Sequence, residues 1–396
     1  MIGALNQKLL REIWQLKGQM VAIILVMAAG IAVFVLMFGV VDSLKLTKNT
    51  YYDRYQFADI FVSLKRAPES VKQRVGEIPG VSIIESRVVF GVTLQIKNMI
   101  EPASGKIISL PDSHDPLLNN LYLRSGRFLY PNEENAVVVD ESFFTAHGFN
   151  LGDKISVIMN GYKRQLTMVG VVLSPEYVYS IAPGALMPDS KRYGLFWMSR
   201  RSLEAAVNMK GAFNDLSIKV DRNANIENIK QSVDSILKPY GGLIAYGRDE
   251  QISNFFVENE LKQLYSMGLM APIVFLSVSA FLINVVMTRQ ISTQRELIGM
   301  LKAVGYRNIE ISLHYLKMVL VITGVGSIIG LSLGGLDGNR YDKNVYGVFS
   351  FSHIKVQLFI RSHGFCGFLL HASGVYWNLV CDSKCCESTS SGSDAS

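Results

Sequence analysis

The chain has 396 residues, of which 49% are hydrophobic and only 18% are charged, whereas an average soluble domain is about 25% charged. This composition excludes an ordinary soluble protein. The net charge of +6 is modest for the length, and no cluster of Lys and Arg interleaved with aromatic residues is present, so nucleic-acid binding is not expected.

The N-terminal segment, residues 1–17, has an amphipathic pattern. Its apolar residues recur at helical spacing with polar and basic residues between them: Leu5, Leu9, Leu10, Ile13, Trp14 and Leu16. This spacing predicts a helix that lies at the cytoplasmic surface of the membrane. A plain continuation of the first membrane helix explains the same residues equally well.

Three long apolar runs are free of charged residues, and a bilayer core of about 30 Å needs about 20 helical residues. The runs are Gly18–Val41, Gln263–Thr288 and Met318–Leu336. We predict transmembrane helices at residues 18–41, 263–288 and 311–336. The first run is too long for the apolar part of a signal peptide, and no small-x-small cleavage site follows it.

Basic residues near the span ends predict the orientation of the chain, because Lys and Arg favour the cytoplasmic side. They cluster before the first span and between the second and third: Lys8, Arg11, Lys17, Arg289, Arg295, Lys302 and Arg307. Residues 1–17 and 289–310 are therefore predicted to be cytoplasmic. Residues 42–262 are predicted to be extracytoplasmic.

The segment 42–262 is long enough to bury a core of its own. Alternating or β-branched stretches predict strands at Phe57–Leu64, Val81–Lys97, Ala136–Val139, Ile155–Met159, Gln165–Val172 and Leu216–Val220. Amphipathic spacing predicts helices at Pro68–Ile78 and Ile226–Leu237. We expect two small α+β lobes, with the weakly patterned segment 102–126 as a long excursion or an inserted subdomain.

Catalytic and metal-binding patterns are weak. Asp112, Ser113, His114 and Asp115 form a polar cluster, but neighbours in sequence do not face one another usefully, so we interpret it as a solvated loop. The sequence has no Walker-type P-loop, and the spacing of Cys381, Cys385 and Cys386 matches no standard zinc pattern. We therefore expect no catalytic, cofactor or metal site in this chain.

The segment 289–310 predicts a short helix with one apolar side. Thr293 and Glu296 have the spacing of a capping box, and Gly305 is placed to end the helix. Its apolar face contains Leu297, Ile298, Leu301 and Val304. The simplest alternative is a surface helix that only connects two spans.

The sequence R-Q-I-S-T-Q-R-E-L-I-G-M-L-K-A-V-G-Y at residues 289–306 resembles the cytoplasmic loop of the FtsX/MacB-type permeases of ABC systems. The stretches Phe57–Pro68 and Ile78–Val81 and the order of the segments are similar to that family as well. The resemblance covers residues 5–335. It implies an α+β membrane protein of the bacterial cytoplasmic (inner) membrane, with several spans and a MacB-like periplasmic core domain at residues 42–262.

The resemblance also implies a function. The chain would be a permease subunit without enzymatic activity and without a bound cofactor, and a separate ABC ATPase subunit would use ATP. In the family, the short helix after the second span docks into that ATPase. The implied docking residues are Gln294, Arg295, Glu296, Leu297, Leu301, Lys302 and Ala303.

The resemblance also implies further partners, and two alternative functions stand beside it. A dimer, or a pseudo-dimer with a second permease half, is implied. One alternative is an FtsX-like signalling protein that regulates a cell-wall hydrolase without transporting a substrate. A second, an adhesin or receptor without an ATPase, is disfavoured, because such a protein needs no two-faced helix between its spans.

The last 60 residues differ from the rest of the chain. Gly326, Gly330 and Gly334 recur every four residues and predict a face for close helix packing. All four cysteines and the polar run Asp337–Lys343 come after this face. We therefore expect residues 337–396 to be an aberrant tail, either frameshifted or disordered, and we expect the glycine face to lack a partner because a fourth span is missing.

Overall fold

The structure is a computed structural model that describes residues 4–96, 99, 101–131 and 133–345. The chain divides into two compact units. We call Met1–Thr47 with Leu261–Ser396 the helical unit, and Lys48–Glu260 the α+β unit. Residues 337–345 of the predicted tail continue the last helix of the structure, and the rest of the tail, from residue 346 onward, lies outside the described residues.

The elements follow one another in a fixed order along the chain. They are α1 Ala4–Gln15, α2 Lys17–Arg54, β1 Ile60–Pro68, α3 Ser70–Gly76, β2 Val81–Arg87, β3 Val89–Gln95, β4 Ala103–Leu110, β5 Tyr122–Gly126, β6 Ala136–Asp140, α4 Glu141–His147, β7 Lys154–Met159, β8 Tyr162–Leu173, β9 Tyr193–Ser199, α5 Arg200–Ala206, β10 Ala212–Val220, α6 Ile226–Leu237, β11 Tyr246–Gly247, α7 Ile252–Thr293, α8 Arg295–Ala303 and α9 Asn308–Val345.

Three helices in the described part of the chain are long and apolar enough to cross a membrane, and they contain the three predicted spans. The helices are longer than predicted. α2 has 38 residues and α7 has 42, and at about 1.5 Å per residue each far exceeds the bilayer core. The helices therefore continue beyond residues 41 and 263, where the predicted membrane spans end and begin. Charged residues end an apolar run, but they do not end a helix.

The N-terminal helix α1 is a separate element, yet it is joined closely to α2. A single residue, Leu16, lies between them. Helical hydrogen bonds pass through this position, from the Leu16 amide to the Glu12 carbonyl and from the Met20 amide to the Leu16 carbonyl, both at 3.0 Å. The segment is therefore helical and nearly continuous with α2, and its predicted position at the membrane surface stays a prediction.

The glycine face of α9 packs against α2. A methyl group added at Gly330 would lie 2.8 Å from the Ala28 carbonyl oxygen, and one at Gly334 would lie 3.0 Å from the Ala32 carbonyl oxygen. At Gly326 the nearest atom would be a side-chain sulfur of α2, 3.1 Å away. The expectation that this face lacks a partner is therefore wrong, because the small residues of α2 let the two backbones approach.

The described residues of the α+β unit form two sheets. The smaller sheet has four antiparallel strands in the order β11-β1-β10-β2, and the larger has seven in the order β5-β8-β6-β9-β4-β3-β7. The long strand β8 also pairs with β7, so the pairings of the larger sheet close into a ring. Each sheet has its own hydrophobic core, the smaller one with α3 and α6. The predicted two α+β lobes are thus present.

Several strand predictions need correction. The predicted strand Val81–Lys97 is two strands, β2 and β3, which belong to different sheets. The segment 102–126 is not an excursion, because β4 lies inside the larger sheet between β3 and β9. Its sequence A-S-G-K-I-I-S-L has a weak strand signal, and pairing on both sides stabilises it, since strand preference depends on neighbours more than on composition.

Candidate functional site at helix α8

The joint between α7 and α8 is a single residue, Gln294, with φ −98° and ψ 15°. Helical hydrogen bonds continue through it, from the Gln294 amide to the Gln290 carbonyl at 3.1 Å and from the Ile298 amide to the Gln294 carbonyl at 2.9 Å. The long apolar helix therefore leads directly into the short helix α8, with one distorted residue between them.

The sequence predicted the C-terminal end of α8 correctly but not its N-terminal cap. Gly305 has φ +103°, and the Tyr306 and Gly305 amides donate to the carbonyls of Leu301 and Lys302, which is the Schellman arrangement that requires glycine. The predicted end is confirmed. The predicted capping box is wrong, because Thr293 is still inside α7, where its hydroxyl donates to the Arg289 carbonyl at 2.9 Å.

One side of α8 exposes apolar side chains. Leu297, Met300 and Val304 are 38%, 61% and 78% exposed, and their spacing places them on one side of a helix. We call these three residues the outer ridge. The predicted apolar face is therefore divided, because Ile298 and Leu301 are partly buried. Met300 was missed, although its spacing from Leu297 and Val304 was visible in the sequence.

The other predicted docking residues vary in exposure. Arg295, Glu296 and Ala303 are exposed, and Lys302 is partly buried. Gln294 is also partly buried, and its side chain is bound within the chain. Unlike the exposed docking residues, Gln294 therefore has a side chain that is already occupied by contacts inside the chain.

A buried polar cluster lies behind the joint. The Gln294 side-chain amide donates to Glu12 at 2.8 Å and accepts from the Tyr315 hydroxyl at 3.1 Å. The second Glu12 oxygen lies 3.0 Å from His314 Nε2. Glu12 and His314 are each 4% exposed and Tyr315 is 2% exposed. Residues of α1, the joint and α9 thus meet in one cluster, which we call the joint cluster.

The charge state of Glu12 follows from its surroundings. Burial raises the pKa of this carboxyl, but the hydrogen bonds from His314 and Gln294 and the positive charge of Lys8 outweigh burial and hold the pKa below its ordinary value. Glu12 is therefore a carboxylate at neutral pH, so both of its oxygens act as acceptors.

A second buried cluster, which we call the arginine cluster, lies in the α+β unit. The Arg87 guanidinium lies 2.6 Å from Glu176 and 2.6 Å from Asp215, and it is 7% exposed. Asn119 donates to Glu176 at 3.1 Å, and Gln251 donates to the Glu176 carbonyl at 2.7 Å. The cluster joins β2 and β10 to the turn after β8 and to the residue before α7.

The polar segment at residues 112–115 borders a cavity of about 600 Å³. Asp112 accepts from the Ser199 hydroxyl and, at 2.9 Å, from the Arg201 amide. His114 is exposed, and its ring nitrogen lies 2.7 Å from the Asp115 carbonyl oxygen. These bonds connect the segment to its own backbone and to β9. Among the described residues, no group of three or more His, Cys, Asp or Glu is placed to hold a metal ion.

Two family models match the chain. The MacB-like periplasmic core domain matches residues 20–236, and the FtsX-like permease C-terminal domain matches residues 269–370. Because the first match covers more than half of the sequence, the chain belongs to the FtsX/MacB-type permeases of ABC transporters. The second match runs past Gly335, where the resemblance was expected to stop.

The solved structures that the chain matches include two named extracytoplasmic domains. The periplasmic region of MacB from Actinobacillus actinomycetemcomitans has a TM-score of 0.32 and 12% identity, over 53% of this chain and 95% of that one. The extracellular domain of the transporter YknZ from Gram-positive bacteria has a TM-score of 0.32 and 10% identity, over 48% and 98%. No curated protein matches the sequence.

The family match confirms the predicted fold class. The chain is an α+β membrane protein with a large extracytoplasmic domain of the MacB-like type. Members of this family are membrane components of ABC transporters, and the family implies an ATPase partner.

Proposed function

We propose that this chain is the permease subunit of an ABC system of the export or mechanotransmission type, and that the outer ridge of α8 docks into a separate ATPase subunit. The observation that carries the proposal is the exposure of Leu297, Met300 and Val304 on one side of a short helix. Apolar residues at this spacing are typical of a helix that binds in the groove of a partner.

The continuity of α7 supports a role in transmitting motion. This helix begins directly after Gln251, which is bound to the arginine cluster, and it ends one residue before α8. A displacement of α8 by the ATPase would act on one continuous helix whose other end is bound to the extracytoplasmic domain. The chain itself would hold no cofactor, and it would work as a dimer or as a pseudo-dimer with a second permease half.

Substitution of Met300 tests the docking surface. Met300→Asp places a carboxylate in the proposed apolar contact, where an unpaired charge costs several kcal/mol, so we expect at least a tenfold loss of co-purified ATPase with normal membrane insertion. Ile309→Asp is a matched control, because Ile309 is 73% exposed but lies outside α8. Full retention of the ATPase by Met300→Asp would reject docking through the outer ridge.

Cysteine labelling tests the proposed topology in the inner membrane. Ser113 and Glu296 are both exposed, and after the native cysteines are replaced by serine, each can carry a single label. A membrane-impermeant reagent added to intact spheroplasts should label Ser113→Cys but not Glu296→Cys. Labelling of Glu296→Cys from outside would contradict the assignment of α8 to the cytoplasm.

The origin of residues 337–396 remains a proposal. A frameshift would account for the abrupt appearance of cysteine and for the polar run Asp337–Lys343. The FtsX-like match runs to residue 370, so the first part of this segment retains family-like positions. Independent sequencing of the gene around the codons for Gly335 and Leu336 decides the question, because an unchanged frame rejects the frameshift.

A further inference from the structure

We propose that Gln294 is a positioning residue: its side-chain amide, held between Glu12 and Tyr315, fixes the joint between α7 and α8 to α1 and α9, so that α8 moves with these two helices. The proposal rests on the proposed role of α8 as the docking helix. It concerns the buried joint cluster and not the exposed outer ridge.

The backbone by itself does not fix the angle of the joint. Only Gln294 separates the two helices, and its φ and ψ depart from helical values. The backbone bonds at 3.1 and 2.9 Å continue across it, but hydrogen bonds of this kind tolerate a range of bends. A short helix attached to a long one through a single residue transmits a push only if a side contact fixes that residue.

The Gln294 amide is held in one orientation. Its nitrogen faces the Glu12 carboxylate at 2.8 Å, which can only accept, and its oxygen faces the Tyr315 hydroxyl at 3.1 Å, which can donate. Reversing the amide would place its oxygen against a carboxylate. Both contacts therefore select the same side-chain position, and this position defines where the joint lies relative to α1 and α9.

Glu12 is in turn held by α9. Its second oxygen accepts from His314 Nε2 at 3.0 Å, and both residues are almost completely buried. An ionised, buried carboxylate strongly favours keeping its donors, since a hydrogen bond to a charged group is worth more than one between neutral groups. The joint cluster therefore connects three segments that are up to 302 residues apart in sequence.

This assignment changes the role of Gln294. The resemblance implied that it contacts the ATPase, but its amide is already bonded at both ends inside the chain. The outer ridge and the joint cluster then have different roles. The outer ridge binds the ATPase, and the joint cluster fixes the direction in which the ATPase can displace α8.

Hydrogen exchange of the full-length chain in lipid nanodiscs tests the proposal. Gln294→Leu keeps a side chain of similar size but removes both hydrogen bonds, so we expect the backbone amides of α8 to exchange at least tenfold faster. Glu12→Gln should also accelerate exchange, and the double variant should be no faster than Gln294→Leu alone. Arg307→Gln, an exposed change shortly after α8 and outside the proposed docking residues, is the matched control and should leave exchange unchanged.

Two further measurements separate this proposal from the docking proposal. In Gln294→Leu the outer ridge is intact, so the ATPase should still co-purify while its stimulation by the permease is lost. Should Gln294→Leu fail to fold, Tyr315→Phe removes only the hydroxyl and should accelerate exchange in α8 to a smaller extent. Unchanged exchange in α8, or independent, multiplying effects of Glu12→Gln and Gln294→Leu, would overturn the positioning role even if the outer ridge docks as proposed.

Discussion

The two units of this permease organise their buried polar groups in different ways. In the α+β unit, a guanidinium lies between two carboxylates, with direct ion pairs at 2.6 Å. In the helical unit, an amide lies at the centre, and one carboxylate is shared by an amide, an imidazole and a partly exposed lysine. The first cluster has strong charge pairs, whereas the second has mostly directional hydrogen bonds.

This difference follows from what each unit has to hold together. The arginine cluster joins elements of two sheets that each have their own core, so loss of the guanidinium leaves two carboxylates buried without a partner. The helices α2 and α9 already pack closely through glycine, because lipid provides no hydrophobic drive and close approach replaces it. The joint cluster therefore contributes less to the stability of the helical unit, and its main effect is to fix the position of the joint between α7 and α8.

The largest effect that tests this comparison is expected at Arg87. Arg87→Met leaves Glu176 and Asp215 buried without their partner, and breaking a buried pair in this way costs about 3–5 kcal/mol. Thermal or urea unfolding of the purified full chain in detergent measures the loss. Arg192→Met is the matched control, since Arg192 forms ion pairs but its side chain is 67% exposed, and exposed pairs contribute little. Equal effects of the two variants would contradict the comparison.

Glycine packing in the helical unit should give the next largest effect. A methyl group at Gly330 would lie 2.8 Å from both the Ala28 carbonyl and a carbon of Ile31, so Gly330→Ala should separate α9 from α2 at a cost of about 1–3 kcal/mol. Gly324→Ala lies on the same helix with no neighbour within 4 Å and should be neutral. Unfolding in detergent compares them, and equal stability of the two variants would show that the close approach is not needed.

The pH dependence of Arg87→Met sharpens the comparison further. Burial raises the pKa of Glu176, but Arg87 outweighs it and holds the pKa below its ordinary value. In the wild type, this stabilisation is therefore present above the unfolded pKa and is lost as the pH falls through the folded pKa. Without Arg87, burial loses its strongest opponent, although Lys106 and the Tyr177 hydroxyl still lower the pKa of Glu176. The pKa of Glu176 therefore rises in the variant, and protonation at acid pH removes the unpaired buried charge. We expect the stability difference to shrink between pH 7 and pH 4, by up to about 1.4 kcal/mol per pH unit.

The smallest effect is expected at Glu85, a buried carboxyl next to the arginine cluster. Burial raises its pKa despite the hydrogen bond from the Leu118 amide at 2.7 Å. A raised carboxyl pKa means that stability is full below the unfolded pKa and is lost as the pH rises. Glu85→Gln should therefore stabilise the chain at pH 8, by an amount on the order of 1 kcal/mol, and should have no effect at pH 4. Urea unfolding at the two pH values measures both effects, and destabilisation at pH 8 would contradict this sign.

The sequence alone was sufficient for the features that depend on local composition. Uncharged runs of about the length of a bilayer core or more identified the three apolar helices, and a four-residue glycine period identified the packing face of α9. Gly305 marked the end of α8 because a left-handed residue there needs glycine. The motif at residues 289–306 identified the family. Each of these signals lies within a single stretch of the chain, where the spacing and type of the residues determine the local structure.

Only the tertiary structure decided which distant residues meet. Glu12 and His314 are 302 residues apart, and Arg87 is 89 residues from Glu176, so no local pattern connects them. β4 was missed because its partners on both sides stabilise a sequence that is a poor strand by itself. The motif contains Gln294, but the sequence does not indicate whether its side chain contacts a partner protein or other residues of this chain. The direction of a side chain depends on what packs around it, and that information belongs to the fold rather than to the order of residues.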